Sequence, residues 1–312
     1  MGRTALFSRK QPGGVFTIFD LPRHPANILF VSSITGTDAA GGGQSPDAPL
    51  ATLDYAIGLC TASAGDTIYL LPGHAESYAA AAGAVFDIAG VRVIGLGSGS
   101  LMPKFTFTTA DTADIDIDAA NVTIENVHFA SGVAGLVAGI DVNAANFRML
   151  NCRFSVTAAA NHPLICVLTD ANANGIEIRN CDFDLEYDTA TTPIIVTTAR
   201  TVAIRLVGAD YAKIEDTAIS GNFTVACIDS LTTACRGIQI NRNRLRNVQT
   251  TNIAGMVDLV AATTGVVSYN AGFHGYATDI ATCIDPASCA MIANYVSNVV
   301  TEAGGLVGTA ST

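Results

Sequence analysis

Charged side chains are scarce in this chain of 312 residues, in which Asp, Glu, Lys and Arg make up only 14%, against about 25% in an average soluble domain. Apolar residues make up 49%, which is too many for an intrinsically disordered protein. No run of about 18 apolar residues occurs, so no transmembrane helix is predicted. The N-terminus also lacks the apolar core of a secretory signal. The net charge of −11 argues against a general nucleic-acid binder.

Tryptophan is absent, so any aromatic platform for a sugar ring has to be built from tyrosine. No Cys-x-x-Cys or Cys/His spacing typical of a zinc site occurs, and the five histidines stand in no recognisable motif. We therefore predict no cofactor and assign no catalytic residue.

A nine-residue phrase recurs along the second half of the chain, and its starts are 24–36 residues apart. Periods of this length are typical of solenoids and other repeat proteins. The phrase reads NVTIENVHF, NFRMLNCRF, GIEIRNCDF, YAKIEDTAI, GIQINRNRL, GVVSYNAGF and CAMIANYVS, beginning at residues 121, 146, 175, 211, 237, 265 and 289. A second phrase, IDIDAAN and then IDVNAAN, precedes the first two copies. Each coil therefore contains at least two short strands, which stack on the next coil about 4.8 Å away. The sequence predicts a parallel β-solenoid.

The sixth position of the phrase is almost always Asn or Asp, which tolerate left-handed backbone angles and favour tight turns. Only Arg242 departs from this pattern. We therefore predict a ladder of structural corners at Asn126, Asn151, Asn180, Asp216, Asn270 and Asn294.

Three regions are predicted along the chain. Residues 1–25 lie outside the repeat and form an extended N-terminal arm, residues 26–300 form the solenoid, and residues 301–312 form a C-terminal tail. Leu50, Leu53, Ile57 and Cys60 share one helical face, which predicts a short helix near residues 50–60 that caps the first coil and covers its open edge.

The run GTDAAGGGQSPDAPLATLDYAI, followed by GDTIYLLPG and then by one Asn-marked corner in each coil, resembles the pectate-lyase-like parallel β-helix superfamily. The resemblance covers about residues 26–300 and implies an all-β, right-handed parallel β-helix. It does not fix an activity, because the superfamily includes lyases, hydrolases, tailspikes, adhesins and non-catalytic virion proteins. Its pectinolytic members use an acidic calcium cluster with an Arg base, or paired Asp residues with a Gly-His-Gly loop. Neither pattern occurs in this sequence.

Two acidic groups are the candidates for chemistry. Asp116 and Asp141 occupy equivalent positions in neighbouring coils, and such like charges repel unless they are solvated, protonated or bridged by a cation such as Ca²⁺. A well-hydrated surface row is the simpler interpretation. A glycan-active enzyme would place its acid and base among Asp182, Asp184 and Glu186, beside Arg153. Elsewhere in the phrase, charges of opposite sign alternate between coils, as expected for structural pairs.

The eight cysteines are predicted to be mainly reduced and buried, because no secretion signal is present. Cys152 and Cys181 share a small, inward-facing apolar position. The pairs Cys227 with Cys235, and Cys283 with Cys289, bracket a corner, so a disulfide stays open for each.

The arm is basic, with a net charge of +3, so the remaining residues carry −14. It also contains an apolar stretch that could add a strand to a neighbouring chain. We expect contacts for assembly at Arg3, Arg9, Lys10, Phe16, Ile18, Phe19 and Arg23. Together with the apolar surface and the missing catalytic motifs, the arm favours an assembly component.

The leading hypothesis is a non-catalytic phage capsid decoration (cement) protein, which is made in the host cytoplasm and lies on the capsid surface of the virion. Its expected partners are other copies of itself, as a homotrimer, and the major capsid protein or other virion proteins, which the arm grips. Neither nucleic acid nor membrane is expected as a partner, whereas a glycan is possible. The alternatives are a polysaccharide lyase or hydrolase of the tailspike type, and a non-catalytic receptor-binding or adhesin module.

Overall fold

The fold is known from a computed structural model that describes residues 26–189, 192–194, 200–249, 255–275, 282–298 and 305–307. The predicted assembly contacts in residues 1–25 lie outside the described residues. Within the described part, the chain winds through three parallel sheets, so that a typical coil contributes one strand to each sheet in turn. The predicted parallel β-helix is confirmed.

Sheet 1 has ten strands among the described residues. Its strands are β1 (Ile28–Val31), β2 (Thr67–Leu70), β5 (Arg92–Gly95), β8 (Thr123–Glu125), β11 (Arg148–Leu150), β14 (Glu177–Arg179), β19 (Lys213–Glu215), β22 (Ile238–Asn241), β25 (Gly265–Ser268) and β28 (Ala290–Ile292).

Sheet 2 also has ten described strands, of which the last is antiparallel to its neighbour. They are β3 (Ala75–Tyr78), β6 (Lys104–Phe107), β9 (His128–Ser131), β12 (Arg153–Val156), β15 (Asp182–Asp184), β20 (Ala218–Gly221), β23 (Arg244–Asn247), β26 (Ala271–His274), β29 (Asn294–Asn298) and β30 (Gly305–Val307). Part of the predicted C-terminal tail is therefore a strand, because β30 pairs with β29.

Sheet 3 has eight strands in the described part of the chain. They are β4 (Ala84–Val85), β7 (Ile115–Ile117), β10 (Ile140–Val142), β13 (Ile165–Thr169), β18 (Arg200–Arg205), β21 (Phe223–Asp229), β24 (Val257–Asp258) and β27 (Ile284–Asp285). A small antiparallel hairpin, β16 (Tyr187–Thr189) with β17 (Thr192–Ile194), is inserted between β15 and β18. A 3₁₀ turn, Gly99–Leu101, lies between β5 and β6.

In most strands with described side chains, apolar residues alternate with polar ones and point into the coil, which gives a continuous core. In sheet 2 the inward position is a stack of phenylalanines: Phe129, Phe154 and Phe183 lie on successive coils. The ring of Phe154 is 6.2 Å, centroid to centroid, from each of the other two. All three side chains are fully buried.

The corner between sheets 1 and 2 has a left-handed residue in each coil. Asn126, Asn151, Asn180 and Asp216 have φ between 52° and 56°. At the next coil Arg242 takes the same conformation, with φ of 56°.

The corner predictions for Asn270 and Asn294 need correction. In those two coils the left-handed residues are Tyr269 (φ 56°) and Ala293 (φ 49°), each one position earlier. The pairing of β22 with β25 explains the difference, because Ile238 is opposite Gly265, which shifts the sixth copy of the phrase by one residue. Asn270 and Asn294 therefore follow the corner instead of forming it.

These two asparagines belong to a buried polar ladder at the inward-facing position after the corner. That row contains Val127, Cys152, Cys181, Thr217, Asn243, Asn270 and Asn294 on successive coils, all nearly inaccessible. The backbone N–H of Asn243 donates to Oδ1 of Asn270 (3.0 Å), and the backbone N–H of Asn270 donates to Oδ1 of Asn294 (3.1 Å). Each side chain thus satisfies a backbone group that the turn leaves unpaired inside the core.

The predicted helix is present as α1 (Leu53–Gly58), with Thr52 as its N-cap. Its buried residues pack against β1, β2 and β4, and Asp54 Oδ1 accepts a hydrogen bond from the backbone N–H of Val85 in β4 (3.1 Å). Because β4 and β1 are the first strands of sheets 3 and 1, α1 lies at the N-terminal end of the coil. Within the described residues, no helix is long and apolar enough to cross a membrane.

All eight cysteines are buried and outside any disulfide, so neither of the two possible disulfides forms in this structure. Burial raises the pKa of the Cys60 thiol to about 12 and that of Cys289 to about 11. These two groups stay protonated at neutral pH, as expected for cysteines that act as small core residues.

Candidate functional site

The three outer faces of the coil differ in how their charges are balanced. On sheet 1, cations and anions alternate from coil to coil and form ion pairs across neighbouring strands. The pairs between neighbouring strands are Arg92–Glu125 (2.5 Å), Arg148–Glu177 (2.8 Å) and Arg179–Glu215 (3.4 Å), and a further pair, Arg179–Glu177 (2.5 Å), lies within β14. This face is neutralised by its own side chains.

Strand β15 of sheet 2 contains Asp182 and Asp184, two of the acids that the sequence predicts as candidates for glycan chemistry. An Arg153 guanidinium nitrogen lies 2.7 Å from Asp184 Oδ2 and another lies 3.8 Å from Asp182 Oδ2. Partial burial raises the pKa of Asp182, Arg153 lowers it and Asp184 raises it again. The two carboxylates therefore share one cation but differ in environment.

His128 lies one coil before Arg153 on the same outward row. Its Nε2 is 2.8 Å from Ser155 Oγ. Burial, then the positive charges of Lys104 and Arg153, lower the pKa of His128 to about 4. The imidazole is therefore neutral at physiological pH.

The third acid of this group, Glu186, is bound by two residues of the following coils. Ser220 Oγ donates to one carboxylate oxygen and Arg246 forms an ion pair with the other. The Arg246 guanidinium also lies over the Phe273 ring, 5.7 Å from its centroid. Glu186 is thus held in place by Ser220 and Arg246.

Sheet 3 has a different charge pattern. Five carboxylates surround strands β7, β10 and β13, and we call this group the acidic face: Asp114, Asp116, Asp118, Asp141 and Asp170. Asp116 and Asp141 are direct partners in the strand register. In the described part of the chain, no Lys or Arg forms an ion pair with any of the five.

Burial and the nearby carboxylates raise the pKa of three members of this group, Asp114, Asp116 and Asp141. Burial, together with the charges of Asp114, Asp118 and Asp141, raises the pKa of Asp116 to about 6. Burial, then Asp114, Asp170 and Asp118, raises the pKa of Asp141. Like charges that face one another across parallel strands destabilise the pair, so this face stores electrostatic repulsion at neutral pH.

The acidic face does not have the arrangement of a calcium site. Among the described residues, no group of three or more His, Cys, Asp or Glu side chains is placed to hold a metal ion. The register prediction for Asp116 and Asp141 is correct, but the structure adds no further ligand around them. One of the neighbouring oxygens is already used, because Asn143 Nδ2 donates to Asp118 Oδ1 (3.0 Å).

The far end of sheet 3 repeats the acidic pattern with one cation. Asp229, Asp258 and Asp285 are successive partners in the register. Arg205 makes a two-pronged contact with the buried Asp229, the shortest distance being 2.7 Å. Burial and the charge of Asp285 raise the pKa of Asp258. Sequence reasoning missed this row, because β24 and β27 are only two residues long and lack the recurring phrase.

With the sheets and their faces in place, comparison with solved structures identifies the architecture. A rhamnogalacturonan lyase superposes with a TM-score of 0.53 at 12% identity, over 87% of this chain and 74% of the lyase. The fold is the pectate-lyase-like parallel β-helix. At this identity the likeness shows the fold alone.

Two other solved structures match with lower TM-scores. Pectate lyase Pel9A is similar at 14% identity over 88% of this chain and 77% of that one, with a TM-score of 0.42. The protein ORF18 of Geobacillus virus E2 is similar at 12% identity over 88% of this chain, which spans 61% of the viral one, with a TM-score of 0.36. No protein-family model matches the sequence, and no curated protein matches it significantly.

Proposed function

We propose that this protein is a non-catalytic structural component of a virus particle, a capsid decoration protein that associates with copies of itself as a homotrimer and binds the major capsid protein or other virion proteins at the capsid surface. The observation that supports this most is that acids on sheets 1 and 2 form ion pairs with arginines of the same face. Asp184 and Glu186 are both held by arginines of the scaffold, as structural side chains are.

Exposed apolar side chains at one end of the coil also fit an assembly role. Tyr269, Ile292 and Tyr295 are each about half exposed. Tyr269 and Ile292 are neighbours, because the Tyr269 backbone N–H donates to the Ile292 carbonyl (2.9 Å). Tyr295 lies three residues after Ile292, in strand β29 of the same coil. Apolar groups clustered on a surface favour contact with another chain.

The test is the mass of the purified full-length protein by light scattering, combined with incubation with a panel of acidic and neutral polysaccharides. We expect a stable trimer and no release of reducing ends or unsaturated products. A monomer at all concentrations, or catalytic cleavage of any polysaccharide, contradicts the proposal.

A second candidate is a polysaccharide lyase or hydrolase, and Asp182 is the observation that favours it. A carboxyl with a raised pKa beside an arginine-bound carboxylate is the asymmetry that acid–base catalysis requires. If cleavage is detected, Asp182→Asn should lower its rate by about a hundredfold or more. The matched control is Asp47→Asn, an exposed acid in the loop before α1, which should leave the rate unchanged.

A further inference from the structure

We propose that the acidic face of sheet 3 is the docking surface for the basic arm, residues 1–25, of a neighbouring copy of this chain. The inference deepens the proposed function and rests on it, because an arm that binds a second copy is useful only in a protein that assembles.

The first step is the charge imbalance between faces. On sheets 1 and 2, the described acids Glu125, Glu177, Asp184, Glu186 and Glu215 are all paired with arginines. The five carboxylates of the acidic face are paired with no described cation, although they surround neighbouring strands and repel one another. A positively charged occupant would remove this repulsion.

The second step is the location of the remaining positive charge. Most of the described Arg and Lys side chains on sheets 1 and 2 form ion pairs with Asp or Glu side chains of the same face. The arm contains Arg3, Arg9, Lys10 and Arg23 against the single acid Asp20. It is therefore a segment of this chain whose charge is opposite to that of the face.

The third step concerns fit. The outer row of the acidic face is a strip of parallel strands about 4.8 Å apart, with the exposed side chain of Val137 beside it, in the segment that leads into β10. The arm combines its cations with the apolar run Val15–Phe19. An extended segment of about 3.3 Å per residue can therefore place charges over the carboxylates and apolar groups near Val137.

The test uses charge reversal in the full-length chain and measures mass by sedimentation and light scattering. The face variant is Asp116→Lys with Asp141→Lys, and the arm variant is Arg9→Glu with Lys10→Glu. Each alone should shift the oligomer toward monomer, with the dissociation constant rising at least about tenfold at low salt. The control, Asp47→Lys with Gln44→Lys on an exposed loop, should assemble like the unmodified protein.

Mixing distinguishes a neighbour's arm from the chain's own arm. An equimolar mixture of the face and arm variants should recover complexes, because the normal arm of one can bind the normal face of the other. The four substitutions combined in one chain should also restore assembly.

Three results would overturn the inference. Oligomers that tolerate both reversals show that the contact lies elsewhere, and this leaves the proposed function intact. Loss of assembly in both variants without recovery on mixing shows that the arm binds its own face or that the loss is not electrostatic. A monomeric unmodified protein contradicts the proposed function itself. If a lysine variant loses its circular dichroism spectrum, the neutral pair Asp116→Asn and Asp141→Asn provides the same comparison, with a smaller expected shift.

Discussion

Asn151 occupies the corner position of its coil and Asn270 the inward-facing position after a corner, so the same side chain has a different role at each. Asn151 is exposed and has a φ of 55°, a conformation that costs most L-residues about 1–2 kcal/mol. Asn270 is 1% exposed. Its Oδ1 accepts from the backbone and side chain of Asn243, and its Nδ2 donates to the Ile240 carbonyl.

This difference predicts unequal costs for the same substitution. Asn270→Ala leaves the buried N–H of Asn243 and the carbonyl of Ile240 each without this partner, so we expect a loss of about 2–4 kcal/mol in the free energy of unfolding. Asn151→Ala changes the backbone preference at a corner and removes two exposed hydrogen bonds, to Glu125 and from Asn180. Because water can replace both hydrogen bonds, the substitution should cost about 1 kcal/mol. Denaturant titration of both variants measures the difference, and equal losses would contradict the buried ladder.

At the residue scale, the sequence predicts the left-handed residue correctly at four corners and places it one position too late at two. Asn126, Asn151, Asn180 and Asp216 have left-handed φ values, because their copies of the phrase align without a shift. In the last two copies an Asn is present one position later, and the turn is made by Tyr269 and Ala293. No residue preference marks these two as left-handed, so only the strand register reveals them.

At the element scale, the strands of sheet 2 are held together by stacked aromatic rings. Phe154 in β12 contacts Phe107, Phe129 and Phe183, with centroids 6.1–6.2 Å away. Because the Phe154 ring contacts Phe129 of the coil before and Phe183 of the coil after, the stack links strands that are distant in sequence.

Removing the central ring should therefore weaken several coils at once. We expect Phe154→Ala to lower the free energy of unfolding by about 3–5 kcal/mol through lost burial and the cavity left behind. Phe154→Leu, which keeps most of the volume, should cost about 1–1.5 kcal/mol. Equilibrium unfolding in guanidinium chloride measures both, and an alanine variant as stable as the leucine variant would contradict this account of the core.

The elements that could be predicted from the sequence are those with their own local signal. The helix near residues 50–60 is α1, and the repeated phrase corresponds to strands of sheets 1 and 2. The hairpin of β16 and β17 was not predicted, nor were the two-residue strands β24 and β27. Strands this short contain too few residues to show a period of two, and their place in sheet 3 comes from pairing with neighbouring coils.

At the scale of the whole molecule, the net charge conceals a separation of charge between faces. Composition gives −11 for the chain but not its distribution, which depends on which residues point outward from each sheet. The sequence did place Asp116 beside Asp141, because both copies of the second phrase align. It could not add Asp114 and Asp170, which flank strands β7 and β13 without belonging to a repeated phrase.

The acidic face makes the stability of the protein depend on pH in a definite direction. The pKa of Asp116 is about 6 in the folded protein and about 3.9 in an unfolded chain. Between these values the folded state holds more protons than the unfolded state, so the contribution of Asp116 to stability is present below about pH 4 and is lost as the pH rises through about 6. His128 acts in the opposite direction: because its folded pKa is about 4, its contribution is present above about pH 6.5 and is lost as the pH falls toward 4.

The difference between two proteins that share His128 isolates the acidic face. We expect Asp116→Asn to unfold at a higher denaturant concentration than the unmodified protein at pH 7, and at nearly the same concentration at pH 4, because both then have a neutral side chain at this position. Asp47→Asn, on an exposed loop away from the face, should show no such pH-dependent gain. Urea titrations at intervals from pH 4 to pH 8 measure the effect. A gain for Asp116→Asn that is constant over this range would mean that the benefit is not electrostatic, because only the ionised carboxylate of Asp116 repels Asp114, Asp118 and Asp141.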